Sequence, residues 1–524
     1  MQRKFLATVA ALALGAGAAQ ADYTLTILHT NDFHDRYEPI SKYDGPCAPE
    51  DNQKGDCFGG SARLVTALAE ARAKAPNSIL VDGGDQFQGT LFYTYYKGKM
   101  TAEFMGRLGY DAMTVGNHEF DDGPAVLAGF IDAVEFPVLM SNADISMEPA
   151  LKDKILKSTV IEKGGEKIGL IGLTPIDTPE IASPGKNVIF TDPVGAVQAE
   201  VDRLTAEGVT KIIVLSHSGY LVDQRVAAGT TGVDVIVGGH DNTYLSNVSE
   251  DAVGPYPTMV GKTAIVQAYA YGKFLGALDV TFDDKGEIVS ASGEPLIMDK
   301  AVAEDEATVG RIAELAQPLD EIRNKVVAES AEAIEGNRDI CRQIECTMGN
   351  LVADASLDRV KDQGVAIALV NSGGLRASID AGPVTMGEVL TVLPFQNTLS
   401  TFEISGKVLL EALENGVSQY EEKAGRFLQV AGMKYSFNPT LPAGSRITGA
   451  EVQAADGSWQ PVDAAASYLV VANNYVRTGG DGFKMFVDAA KAYDFGPDLA
   501  DVVAEYLAKA GPYKPYTDGR IVKE

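Results

Sequence analysis

After an apolar leader, the chain opens on a stretch in which hydrophobic and polar positions alternate. Residues 23–28 read Tyr-Thr-Leu-Thr-Ile-Leu, the pattern of a half-buried strand. Short, mostly apolar runs follow at 78–81, 112–115, 138–140, 211–215 and 233–237. Such runs, rich in Val, Ile and Leu, predict strands buried on both faces. Between them, 61–73 and 193–207 carry apolar residues at helical spacing. Strands alternating with helices predict a layered α/β domain.

From 302 to 329 the chain is rich in Ala, Glu, Leu and Ile at helical spacing. A helical connector is expected there. A second α/β region follows, with strands expected at 365–370 and 468–472. At 524 residues the chain is long for a single core. The expected layout is a leader at 1–21, a first domain at 22–301, the connector at 302–329 and a second domain at 330–524.

The leader has the form of a secretory signal. Arg3 and Lys4 precede an apolar run at 5–19, and Ala19-Gln20-Ala21 is a small-x-small cleavage site. The run is short for a membrane span, and no second run of spanning length follows. The final residues, Gly519-Arg520-Ile521-Val522-Lys523-Glu524, lack the hydrophobic tail of a lipid-anchor signal. A periplasmic or secreted protein without a membrane anchor is expected.

Charge narrows the partners. The formal net charge is −28, from 72 acidic and 44 basic residues. That argues against binding nucleic-acid polymers or anionic membranes. It leaves a small anion open as ligand, since bound cations reverse the field inside one cleft. The four cysteines form two close pairs, Cys47 with Cys57 and Cys341 with Cys346. Three pairings are possible. In an oxidising compartment the local one is expected, because it needs least rearrangement of the chain. No C-x-x-C spacing or neighbouring histidine favours a metal knuckle.

The candidate chemistry lies in five polar clusters that follow predicted strands. They are Thr30-Asn31-Asp32-Phe33-His34, Asp82-Gly83-Gly84-Asp85-Gln86-Phe87-Gln88-Gly89, Gly116-Asn117-His118-Glu119-Phe120-Asp121, Ser216-His217-Ser218-Gly219 and Gly238-Gly239-His240-Asp241-Asn242. Ligands of α/β folds gather at the carboxyl ends of strands. One strand-end histidine is more often structural than functional. Five clusters that use four of the five histidines point to a site. The mixture of carboxylate, imidazole and amide oxygen suits zinc or manganese. Two such ions can share one carboxylate and clamp a phosphoryl group. His29 lies on the strand side of the first cluster and is given no role.

The ordered motifs Asn-Asp-x-His, Gly-Asp-x-x-x-Gly, Gly-Asn-His-Glu-x-x-Asp, His-Ser-Gly and Gly-His-x-Asn resemble those of the calcineurin-like metallophosphoesterases. More narrowly, the chain resembles the secreted 5′-nucleotidases over nearly all of its mature length. The resemblance implies a four-layered α-β-β-α sandwich for the first domain and an α/β substrate-binding second domain. It implies two divalent metal ions, zinc or alternatively manganese or cobalt. Asp32, His34 and Asn242 would hold one ion, Asn117, His217 and His240 the other, and Asp85 would bridge them. Many members of the wider family have histidine where Asn242 stands, and an amide is a weaker ligand. Asn117 and His118 would also meet the phosphoryl group. His118 would act as a cation beside the metals or as a proton donor, not as a metal ligand, oriented by Asp121.

The second half carries further motifs of that family. Asn371-Ser372-Gly373-Gly374-Leu375-Arg376 resembles its phosphate loop, with Asn371 and Arg376 facing substrate. Cys341-Arg342-Gln343-Ile344-Glu345-Cys346 matches a segment whose arginine, here Arg342, faces substrate. Phe395 and Tyr475 would stack on a nucleobase and Asp481 would accept from ribose hydroxyls. Without the resemblance, both rings read as core residues. Tyr475 stands where animal members have phenylalanine. The implied activity is hydrolysis of 5′-nucleotides. Rival readings are the same chemistry on UDP-sugars, dinucleotides, 2′,3′-cyclic nucleotides or thiosulfate-type groups, and a nucleotide-binding protein without turnover.

Overall fold

The computed structural model describes residues 22–524, apart from 43, 45, 48, 396, 455, 456 and 495. The expected signal segment, 1–21, lies outside the described residues.

The first half is built on two sheets. One has the order Ile288–Gly293, Phe274–Phe282, Tyr23–Thr30, Ser78–Asp82, Ala112–Thr114, Val138–Leu139, with Leu296–Ile297 also paired to Phe274–Phe282. The other runs Thr258–Val260, Thr263–Val266, Val235–Val237, Lys211–Ser216, Glu166–Leu173, Ser158–Lys163. Strand alternation explains how they stack. Leu25, Ile27, Ile79 and Val81 point inward and pack against Ile213, Leu215, Val235 and Val237 of the second sheet. Leu28 and Leu80 point the other way, into a core that includes Leu64 and Leu68 of the helix Ser61–Lys74. On the far side, Ile212, Val214 and Ile236 pack on Val197, Val201 and Leu204 of the helix Pro193–Ala206. The result is the expected α-β-β-α sandwich.

The connector is helical at Glu306–Ala316 and again at Asp320–Arg323. Residues Val326–Ser330 instead form a strand that pairs antiparallel with Gly382–Thr385. Helical composition gave no sign of this, because the strand exists only through a partner more than fifty residues away.

The second half centres on a five-stranded sheet. Ile367–Asn371 lies between Leu428–Ala431 and Ser467–Asn473, followed by Leu399–Ser405 and Ala490–Tyr493. One face packs on the helices Thr347–Val360 and Leu499–Ala510, the other on Gly406–Val417. The halves meet across a cleft of about 740 Å³ lined by residues of both. Two local disulfides, Cys47–Cys57 and Cys341–Cys346, are formed as expected. Among the described residues, no helix is long and apolar enough to cross a membrane.

Candidate active site

The strands Tyr23–Thr30, Ser78–Asp82 and Ala112–Thr114 run parallel in one sheet, Lys211–Ser216 and Val235–Val237 in the other. All five predicted clusters therefore emerge at one end of the sandwich. The first two loops are zipped together by backbone bonds, Asp32 N–H to Gly84 O at 2.9 Å and His34 N–H to Asp85 O at 3.1 Å. Gly84 has φ +91°, and a Cβ there would stand 2.9 Å from His217 Nδ1. Asp32, His34, Asp85, His240 and Asn242 also have positive φ, between 50° and 82°. Non-glycine residues keep that conformation where their surroundings over-determine it, often at functional sites.

Each side chain is oriented by a bond on its far side. His217 Nδ1 donates to Gly83 O at 2.6 Å and His34 Nδ1 donates to Phe87 O and Gln88 O, both at 3.1 Å. Their Nε2 atoms are thereby left as ligand atoms. Asp32 Oδ2 accepts from Asn31 Nδ2 and from His240 N–H at 2.8 and 2.9 Å. Asn242 Nδ2 donates to the Tyr271 hydroxyl at 3.4 Å, which turns its oxygen inward. Asp85 stands at the centre. Its Oδ2 lies 2.9 Å from His217 Nε2 and 3.9 Å from both His34 Nε2 and His118 Nε2. His240 Nδ1 lies 3.0 Å from Asn117 Oδ1.

Two groups of potential ligands share Asp85: one with His34 and His118, the other with His217 and His240. Asp32 Oδ1, His217 Nε2 and Asn242 Oδ1 are buried and make no hydrogen bond. Buried polar atoms are rarely left so, and these three are atoms that would face the ions. The charges agree. Burial would depress the His217 imidazole, but Asp85 and Asp32 push it up to about 10. Burial raises Asp32 to about 6. A buried cluster so short of positive charge fits divalent cations.

His118 is bound differently. Its Nδ1 lies 2.6 Å from Asp121 Oδ2, and Gln88 Nε2 donates to the same oxygen at 3.2 Å. Burial works against its cationic form, yet Asp121 and Asp85 raise it above the ordinary histidine value.

The second half sends Arg338, Arg342, Asn371, Arg376, Phe395, Tyr475 and Asp481 into the cleft. Arg376 Nη2 reaches to 3.3 Å from His34 Nε2. Phe395 stacks beside His118, with centroids 5.7 Å apart and planes at 23°, and the Arg376 guanidinium lies 5.6 Å from its ring. Tyr475 and Asp481 are joined through the tyrosine hydroxyl at 3.2 Å. Burial, then Arg338 and Arg376, hold the Arg342 guanidinium well below its ordinary value. Cations crowded in this way demand an anion.

Comparison with known proteins accords with this geometry. The calcineurin-like phosphoesterase model matches residues 25–244, and the 5′-nucleotidase C-terminal domain model matches 326–488. The chain is 38% identical to a 5′-nucleotidase of Diplobatis ommata, covering 99% of this chain and 92% of that protein. The chain belongs to the 5′-nucleotidase family. A 5′-nucleotidase of Rattus norvegicus is also 38% identical, over 95% of this chain and 90% of its own. The solved 5′-nucleotidase precursor of Thermus thermophilus superposes with a TM-score of 0.91 at 42% identity, covering 96% and 99% of the two chains.

Within this 5′-nucleotidase fold, some residues escaped the sequence reading. Glu119 is fully buried, and its carboxylate accepts from the N–H groups of Gly116, Asp85, Gln86 and Phe87 at 2.7–3.2 Å. It ties the second cluster to the third. Gln429, also fully buried, donates to Cys341 O and Ile344 O at 2.8 Å and accepts from Cys346 N–H at 3.3 Å. It anchors the loop that carries Arg342. Arg338, one helical turn before Arg342, carried no motif signal. His29, given no role, is buried against the Tyr256 hydroxyl at 2.7 Å.

Proposed function

We propose that this chain hydrolyses nucleoside 5′-monophosphates to nucleoside and phosphate in the periplasm or outside the cell. The observation that carries the reading is the juxtaposition across the cleft. Arg338, Arg342 and Arg376, unpaired with any carboxylate among the described residues, face a carboxylate–histidine cluster centred on Asp85. A phosphate dianion fits between the arginines on one side and divalent ions held by that cluster on the other.

Asp32, His34, Asp85 and Asn242 would hold one divalent ion, and Asp85, Asn117, His217 and His240 the other. Zinc or manganese suits this donor set. Such ions supply activated water and charge neutralisation at the phosphoryl oxygens. The chain's own residues do the rest. Arg342 and Arg376 grip the phosphate with planar, forked donors. His118, whose cationic form Asp121 favours, would present Nε2–H to a phosphoryl or leaving oxygen. Phe395 and Tyr475 offer π-faces to the base, and Asp481 offers acceptors to the ribose. The two disulfides favour an oxidising compartment.

The test is phosphate release from AMP, UMP, ATP, UDP-glucose and 2′,3′-cyclic AMP, with and without added metal. The monophosphates are expected to turn over with the highest kcat/KM, and chelation to abolish turnover. Binding of AMP without release of phosphate under every metal would overturn the reading in favour of a nucleotide-binding protein.

A further inference from the structure

Asn473 ends a central strand and caps the short helix Asn474–Arg477 that carries Tyr475. Its Oδ1 accepts the Val476 N–H at 2.8 Å. That bond fixes which way the amide faces, because only its Nδ2 remains for the other side. Nδ2 donates to Asn371 Oδ1 at 2.9 Å. Asn371 is thereby oriented in turn, and its own Nδ2 donates to Asp481 Oδ2 at 2.6 Å. The other carboxylate oxygen, Oδ1, accepts from the Tyr475 hydroxyl at 3.2 Å, which also accepts the Asp481 N–H at 3.2 Å. The ring closes through the helix that Asn473 caps.

Asn371, Asn473 and Asp481 are 3%, 5% and 8% exposed, so water has little part in holding the ring. Asp481 sits at φ +52°, a conformation that needs outside support in a non-glycine residue. A carboxylate has about four lone-pair sites. The ring occupies one on each oxygen and leaves the others for the cleft.

We propose that Asn473 is a positioning residue for ribose recognition. Through Asn371 it sets the orientation of the Asp481 carboxylate, so that its free lone pairs meet the two ribose hydroxyls. This rests on Asp481 being the ribose acceptor. Asn473 itself touches no substrate. Its effect belongs to binding, and to substrates that carry those hydroxyls.

Asn473→Asp separates this role from simple capping. Aspartate caps a helix as well as asparagine does, so the bond from Val476 survives. It cannot donate to Asn371, whose amide then loses its fixed polarity. The measurement is kcat and KM for AMP and for 2′,3′-dideoxy-AMP, in wild type, Asn473→Asp, Asn473→Ser and Asp481→Ala. Asn473→Asp and Asn473→Ser are expected to lose at least tenfold of the preference for AMP, through KM. The serine variant keeps a cap acceptor but is too short to reach Asn371, and it stands in if the aspartate variant fails to fold. Retention of the preference in both, alongside its loss in Asp481→Ala, would mean that Asn473 is only a cap. A preference unchanged in Asp481→Ala itself would remove Asp481 as ribose acceptor, and this inference with it.

Discussion

His118 Nδ1 lies 2.6 Å from Asp121 Oδ2, three residues on in the same turn. Asp121 and Asp85 favour the cationic form of the imidazole against its burial, and its other nitrogen faces Asp85 and the cleft. His118→Ala should therefore retain bound metal but lose about 10²–10⁴-fold in kcat, the range for a positioned acid. Metal analysis of the purified variant beside its kinetics checks this. Metal lost together with activity would make His118 a ligand.

Asp85 contributes to both groups of potential ligands. Asp85→Ala should lose more metal and activity than any other single ligand change, including Asn242→Ala. Metal content after gel filtration, with reconstitution by zinc, manganese or cobalt, is the measurement. Stoichiometric retention of two ions by Asp85→Ala would contradict the bridging role.

The candidate ligands were legible in the sequence because they come in compact clusters directly after predicted strands. Asp85, Asn117, His217 and His240 each follow a strand whose burial is written in consecutive apolar residues, and Asp32 follows one written in alternation. Glu119 lay within a cluster but was not singled out, since its partners are backbone N–H groups, which leave no side-chain pattern. Gln429 and Asn473 could not be found so. Gln429 acts on Cys341, 88 positions away, and Asn473 on Asn371, 102 positions away. The sheet order that makes those pairs neighbours is not encoded locally. The strand Val326–Ser330 was hidden for the same reason.

Tyr475 lines the cleft and bonds Asp481, so its ring and its hydroxyl are separable. Tyr475→Ala should cost about 1–3 kcal/mol of AMP binding, the usual scale of base stacking. The loss should appear in KM rather than kcat, because stacking is alike in ground and transition states. Ribose 5-phosphate, which has no base, should lose less. Equal losses on AMP and ribose 5-phosphate, with Tyr475→Phe unaffected, would make the ring a packing residue; the phenylalanine variant removes only the hydroxyl bond to Asp481.

The loop from Cys341 to Cys346 presents Arg342 and is held twice, by its disulfide and by Gln429. Reduction, or Cys341→Ser with Cys346→Ser, should raise KM for AMP before the fold is lost. The Gln429 bonds should limit that rise. Combined with Gln429→Met, the effect should exceed the product of the separate ones, since each restraint covers for the other. Independent, multiplicative effects would mean that the two do not share a loop restraint.

His29 gives the fold its own sensitivity to acid. It is fully buried between the sheets, and burial lowers its imidazole to about 3. In the unfolded chain it takes up a proton near its ordinary value of about 6.5. Protons then bind the unfolded state first as pH falls, so stability present above pH 6.5 is lost on the way down to about 3. The slope is about 1.4 kcal/mol per pH unit within that window. Between pH 7 and 4.5 the loss from this residue is about 3 kcal/mol. His29→Gln keeps a partner for Tyr256 without titrating. Its urea-unfolding free energy should fall less over that interval than that of the wild type, by roughly this amount. Both proteins share the same metal site, so acid release of metal cancels in the difference. Parallel pH profiles for the two would mean that His29 is already charged, or exposed, in the native protein.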